Sequence, residues 1–279
     1  VYNGDDTLTL ASGNFAVSGF VGTQGTGVML NGVTSGTFNS KHVLQATTVS
    51  AGLTGATLSG LADGVKASNY SLPTGPVTAA GTITAKGITV SGLTAKNKVY
   101  DSTRTAMLTG TAVVDSLGLI QGDTVNVTGT ASGLFADKQV GPNKAVTITG
   151  LTLGGADAGN YNITSHAATS ANITQAALTI SGITAANKTY DGTRTATVST
   201  AGAAKNGLFS GDTVTVTATG LFSDKNAGNG KTVALTSTYG GDDAGNYSIT
   251  GQASTLANIT KREITVAPAT AASKAYDGL

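Results

Sequence analysis

The stretch KTYDGTRTATV, Lys188 to Val198, decides how this chain is to be read, because nearly the same words occur elsewhere. Lys98 to Ala106 reads KVYDSTRTA, Tyr2 to Leu8 reads YNGDDTL, and Lys274 to Leu279 reads KAYDGL. A motif met once suggests an active-site loop. Four phased copies in 279 residues describe a repeated building block. The motif tyrosines, Tyr2, Tyr100, Tyr190 and Tyr276, stand 98, 90 and 86 residues apart.

Other motifs keep the same phase. ASNYSL (Ala67 to Leu72), DAGNYNIT (Asp157 to Thr164) and DAGNYSIT (Asp243 to Thr250) form one set. TFNSK (Thr37 to Lys41), LFADK (Leu134 to Lys138) and LFSDK (Leu221 to Lys225) form another. GDTVNVT (Gly122 to Thr128) and GDTVTVT (Gly211 to Thr217) form a third. Seven of the eight tyrosines sit in the two tyrosine motifs, with Tyr239 the exception. Rings this scarce and this regular mark Tyr100, Tyr161, Tyr190 and Tyr247 as core anchors, with Asp101 and Asp191 as turn residues beside them. A period near 90 residues is too long for a solenoid rung and suits one complete β-domain. Alternating segments such as Thr124-Val125-Asn126-Val127, Ala145 to Ile148, Thr213 to Val216 and Thr232 to Leu235 read as strands between Gly/Asn/Asp turns.

Composition agrees. Thr is the commonest residue at 48, with Gly at 39, whereas Glu occurs once, at Glu263. Thr and Val favour strands, and the strong helix formers are few. The expectation is an all-β chain of tandem Ig-like sandwich repeats arranged as an elongated rod. Repeat 1 spans 1–86 and diverges, repeat 2 spans 87–176, repeat 3 spans 177–262, and 263–279 opens a fourth. Charged residues are 11% and the net charge is +1, which gives neither nucleic acid nor anionic lipid a basic surface. No apolar run is long enough to span a bilayer. With no cysteine, each block depends on its apolar core. The chain starts without Met and inside a motif, so it reads as an excerpt of a longer protein.

The junctions read GTITAKGITV (Gly81 to Val90), NITQAALTI (Asn172 to Ile180) and NITKREITV (Asn258 to Val266). In each, an Ile (Ile83, Ile173, Ile259) precedes the next apolar residue (Ile88, Leu178, Ile264) by five positions. An odd spacing flips the buried face of a strand, so one extended segment is expected to leave one core and enter the next. No flexible linker intervenes, and a semi-rigid joint follows.

The series K-x-Y-D-G-T-x-x-A, G-D-x-V, L-F-x-D-K, D-A-G-N-Y and A-N-I-T-x-x-x-I-T-V resembles the YDG and MBG-type repeats of filamentous-haemagglutinin-like exoproteins of Gram-negative bacteria. The resemblance covers essentially the whole chain and is most specific over Ala95 to Ile264. It weakens in repeat 1, where Asn3 replaces the motif Asp and Lys66-Ala67-Ser68 replaces Asp-Ala-Gly. It implies a stalk segment of an adhesin, secreted by the two-partner route or attached to the outer membrane. Host or matrix surfaces would then be met through other parts of the full protein.

Rival functions are weighed on the same residues. Tyr190, Asp191 and Arg194 could form a binding loop, but a repeated turn usually serves the fold: Asp191-Gly192 turns, Tyr190 packs at a domain end, and Lys188 and Arg194 flank it in solvent. Ser102 in place of Gly implies that a positive φ is not required there. Asp224, Asp242 and Asp243 offer oxygen ligands for Ca²⁺, yet without EF-hand spacing, so no resident cofactor or metal is expected. Zinc lacks cysteine ligands, and only His42 and His166 could serve a Ser-His-Asp arrangement. An enzyme is not expected. A glycan- or matrix-binding module and self-association into fibres or biofilm matrix through strand edges are the alternatives.

Overall fold

A computed structural model describes residues 1–270 and 273–278. Its regular elements are strands and five single-turn 3₁₀ segments, and the described residues contain no α-helix. The all-β class read from the sequence is what the chain adopts. Two compact units are formed. Unit 1 gathers Val1–Lys96, Thr105–Phe135 and Ala145–Ser170, and unit 2 gathers Asn97–Arg104, Ala136–Lys144 and Ala171–Leu279. Unit 1 therefore draws on repeats 1 and 2, and unit 2 on repeats 2 and 3 and the opening of the fourth.

In unit 1, repeat 1 supplies an antiparallel sheet in the order Thr7–Thr9, Ser35–Phe38, Thr48–Ala51, Val77–Ala80, and a second pair, Met29–Asn31 with Thr57–Ser59. Repeat 2 contributes strand Lys86–Ala95, flanked by Leu108–Val114 antiparallel and Tyr161–His166 parallel. The Lys86–Ala95 and Leu108–Val114 ladder is broken by a bulge after Gly110. Gly110 has φ +97 and Gly92 has φ +87, and a Cβ on either would collide with the opposite backbone, so only glycine fits. Unit 2 repeats the plan. Ala176–Ser181 lies between Ala204–Asn206 antiparallel and Tyr247–Thr250 parallel. A five-stranded sheet runs Lys188–Thr189, Ser254–Thr260, Gly228–Gly240, Thr215–Phe222, Thr195–Ala196.

Two sequence expectations need correction. Thr124-Val125 and Thr213-Val214 alternate like strand but precede their strands, which begin at Asn126 and Thr215. Their backbone is taken by a side chain instead: Thr124 N–H donates to Asp157 Oδ2 and Thr213 N–H to Asp243 Oδ2, both at 2.9 Å. A short acidic side chain thus outcompetes a ladder partner. The junction reading also fails at its first instance. Ile83 and Ile88 share one core cluster with Tyr2, Ala46 and Tyr161, rather than facing two cores. Residues 81–85 belong to no strand, so the chain is free to turn both side chains inward there. At the second junction, Gln175 alone separates strands Thr169–Thr174 and Ala176–Ser181, and Ile173 and Leu178 are both buried. At the third, Ile259 is buried and Ile264 is exposed.

Candidate functional site

The YDG turn is built from its own letters. In KTYDGT, Asp191 Oδ1 accepts the backbone N–H of Thr193 at 2.9 Å and its hydroxyl at 2.9 Å, while Lys188 Nζ reaches the same oxygen at 2.9 Å. In KVYDST the bonds recur: Thr103 N–H and Oγ1 to Asp101 Oδ1 at 2.9 and 2.8 Å, and Lys98 Nζ at 2.7 Å. An aspartate that ties the backbone two residues on closes an Asx-turn. The lysine ion pair and these bonds hold the exposed Asp191 carboxyl at a pKa of about 2. Lys188 is not free in solvent as the sequence suggested, since its Nζ also lies 5.4 Å from the Phe222 ring centroid. Arg194 is not free either, its Nε donating to Phe222 O at 2.6 Å.

The residue after the aspartate, or after Asn3 in the first copy, does take a left-handed conformation in every copy, contrary to the inference from Ser102. Gly4, Gly192 and Gly278 have φ of 91, 80 and 76°, and Ser102 has φ 63°. A non-glycine residue here is strained and needs compensation. Ser102 has it in a 3.2 Å hydrogen bond from its hydroxyl to Asp212 Oδ1.

Two of the motif tyrosines, Tyr2 and Tyr100, enter a socket made by the following repeat. In unit 1, Tyr2 donates to Asp123 Oδ2 at 2.9 Å, and Tyr161 donates to the same oxygen at 2.6 Å. The rings meet edge-on, 5.5 Å apart and 77° inclined. In unit 2, Tyr100 and Tyr247 donate to Asp212 Oδ2 at 2.8 and 2.6 Å, with rings 5.6 Å apart at 76°. Edge-to-face rings add favourable contact beyond their buried area. The second tyrosine of each socket also accepts a backbone N–H, Ile120 to Tyr161 at 2.9 Å and Phe209 to Tyr247 at 3.0 Å. The neighbouring asparagine fastens the other side. Asn160 Oδ1 accepts Val43 N–H and Asn246 Oδ1 accepts Val140 N–H, both at 3.0 Å.

The electrostatics differ between the two sockets. In unit 2, Lys138 bridges Asp212 at 2.8 Å and Asp243 at 3.7 Å. Burial pushes the Asp212 carboxyl up, but hydrogen bonds from Lys138, Tyr247 and Tyr100 outweigh it and bring the pKa to about 2. The hydrogen bond to Asp212 in turn holds the Lys138 ammonium above its usual range. Burial, then the bond to Asp212, pushes Tyr247 up to about 12; burial and Asp123 do the same for Tyr161. In unit 1 the motif lysine, Lys41, is exposed, and His42 Nδ1 sits 3.1 Å from Asn160 Nδ2. In unit 2 the corresponding Asn246 Nδ2 is buried with no partner among the described residues.

Of the residues singled out from sequence, Tyr100, Tyr161 and Tyr247 are buried in sockets, Tyr190 is half-buried, and Asp101 and Asp191 are the exposed turn aspartates. Asp224 pairs with Lys231 at 2.7 Å, Asp243 holds Thr213, and Asp242 is exposed. No group of three or more His, Asp or Glu among the described residues is placed to hold a metal ion. Sequence reasoning missed Asp123 and Asp212, the acceptors around which both sockets are built. Their signal was the repeated GDT, read there only as a strand start. No helix among the described residues is long and apolar enough to cross a membrane.

Residues 84–171 and 174–255 each match the YDG domain. No curated protein and no solved structure matches the chain.

Proposed function

The chain belongs to the YDG domain family, and on that footing we propose that it is a non-enzymatic structural segment that holds other parts of a large secreted bacterial surface adhesin away from the cell. The observation that carries this reading is the tyrosine–aspartate socket. It couples one shared aspartate to two phenols, it occurs twice among the described residues, and both times it joins one repeat to the next rather than opening onto a cleft. A binding module would be expected to spend its scarce aromatic rings on an exposed surface, whereas four of the eight tyrosines are spent inside joints. Secretion by the two-partner route, attachment at the outer membrane and engagement of host or matrix surfaces by other regions belong to the same proposal. Small-angle scattering tests it. Three blocks end to end should span roughly 100–130 Å at about 35–45 Å each. A radius of gyration near the roughly 19 Å of a compact chain of this length would overturn the spacer reading.

A further inference from the structure

The three YDG turns of repeats 1 to 3 are held alike, and two of them are covered. The backbone N–H of Tyr2, Tyr100 and Tyr190 donates to Thr84, Thr174 and Thr260 O at 2.8, 2.8 and 2.9 Å respectively. Tyr2 and Tyr100 are each 1% exposed. Tyr190 is half-buried, and its hydroxyl meets no carboxylate among the described residues. The rest of the plug is open as well. Val43 and Val140, each two residues beyond its motif lysine, give their N–H groups to Asn160 and Asn246. The corresponding Ala227 and its motif lysine, Lys225, are exposed.

We propose that this face of repeat 3, with Tyr190, Lys225 and the Ala227 N–H, is a docking surface for the acidic socket of another YDG domain. The occupant is defined by chemistry the chain itself displays, twice for the aspartate and the Asn-Tyr pair and once, at Lys138 and Asp243, for the lysine. It offers a GDT aspartate to accept the Tyr190 hydroxyl, an Asn-Tyr pair to cap the Ala227 N–H and stack on the ring, and a second aspartate facing Lys225. A second copy of this chain does not qualify. Its sockets in repeats 2 and 3 are filled by Tyr2 and Tyr100. Its remaining socket, in repeat 1, has the matching tyrosine and the wrong charge. Tyr70 accepts the Val21 N–H at 3.3 Å, as Tyr161 and Tyr247 accept theirs, but three residues after Val21 the acceptor is Gln24, at 2.5 Å from the Tyr70 hydroxyl. Where repeats 2 and 3 have Asp157 and Asp243, repeat 1 has Lys66. A neutral amide and a cation would therefore meet Lys225, and like charge disfavours the pairing. Asn69 is accordingly exposed, whereas Asn160 and Asn246 are buried.

The test adds a socket to the full chain. A further copy of residues 175–260 is inserted between Thr260 and Lys261, so that the junction keeps the spacing found at Thr174. Nitration of Tyr190 by tetranitromethane, followed by mass spectrometry, is expected to slow at least about tenfold relative to the unextended chain. Asp→Ala at the added copy's equivalent of Asp212 should restore the original rate. An unchanged rate with a folded added copy overturns the proposal. A second variant needs no added domain: Gln24→Asp with Lys66→Asp gives repeat 1 an acidic socket. That chain is expected to associate head to tail in sedimentation more strongly than the wild type, and to lose the gain when Tyr190→Ala is added. A double variant that associates no more strongly than the wild type, or one whose association ignores Tyr190→Ala, also counts against it.

Discussion

At the scale of residues, the chain concentrates its polar chemistry on two carboxylates. Asp212 accepts from two phenols, a serine and a lysine, with no exposed side-chain surface. Removing it takes this acceptor from both phenols and the serine and leaves Lys138 only the more distant Asp243, at 3.7 Å. Asp212→Ala is expected to cost about 3–5 kcal/mol, by analogy with breaking one side of a buried pair. Tyr247→Phe removes one bond to a charged acceptor and should cost about 1.5–3 kcal/mol. Asp191→Ala, on the exposed turn, should cost the least of the three. Chemical denaturation of the three variants ranks them; equal losses would contradict the ordering. The pH dependence follows from the same groups. Asp212 is lowered from 3.8 to about 2 in the folded chain, so its contribution is full above about pH 4 and is lost as pH falls towards 2. Tyr247 is raised from 10.0 to about 12, so its contribution is full below pH 10 and is lost as pH rises towards 12. Melting temperature against pH should be flat between these windows, and Asp212→Ala should flatten both of its edges. The tyrosines were legible in the sequence because rings are rare and phased. Their meeting was not, since Tyr2 and Asp123 are separated by 121 positions and no local pattern pairs them.

At the scale of elements, the informative parts are the turn and the junction. The turn was legible from Asp-Gly, but its left-handed residue was misjudged because Ser102 hides a tertiary compensation in Asp212. That compensation is testable. Ser102→Ala keeps the strained φ and loses the hydrogen bond, so it should destabilise by about 1–2 kcal/mol. Ser102→Gly loses the same bond but relieves the backbone, and should cost clearly less. A larger loss for glycine than for alanine, read from denaturant midpoints, would show that the strain argument is wrong. Strand alternation predicted Ala145 to Ile148 and Thr232 to Leu235 well, because paired strands bury one face. It failed at Thr124 and Thr213, where an aspartate 33 or 30 residues further on takes the backbone donor. The junction spacing failed at Ile83 and Ile88 for a related reason: parity argues only along an unbroken strand, and none runs through residues 81–85.

At the scale of the whole molecule, the account makes each joint a specific lock rather than a strand that merely continues. In unit 1, repeat 1 is tied to repeat 2 through Tyr2 on Asp123 and Val43 on Asn160. Under the proposed spacer role, joints built this way would transmit orientation from block to block, and removing one aspartate should free a joint without unfolding the strands on either side. The chain has no cysteine, so cysteines placed at the exposed Thr57 and Thr130 of unit 1 would be its only thiols for paired spin labels. Pulsed electron-electron resonance on that pair, with circular dichroism recording that the strands remain, addresses the lock directly. The account predicts a single narrow distance distribution in the otherwise wild-type chain and a markedly broader one when Asp123→Ala is added. A broad distribution in the parent, or one that Asp123→Ala leaves unchanged, would contradict it.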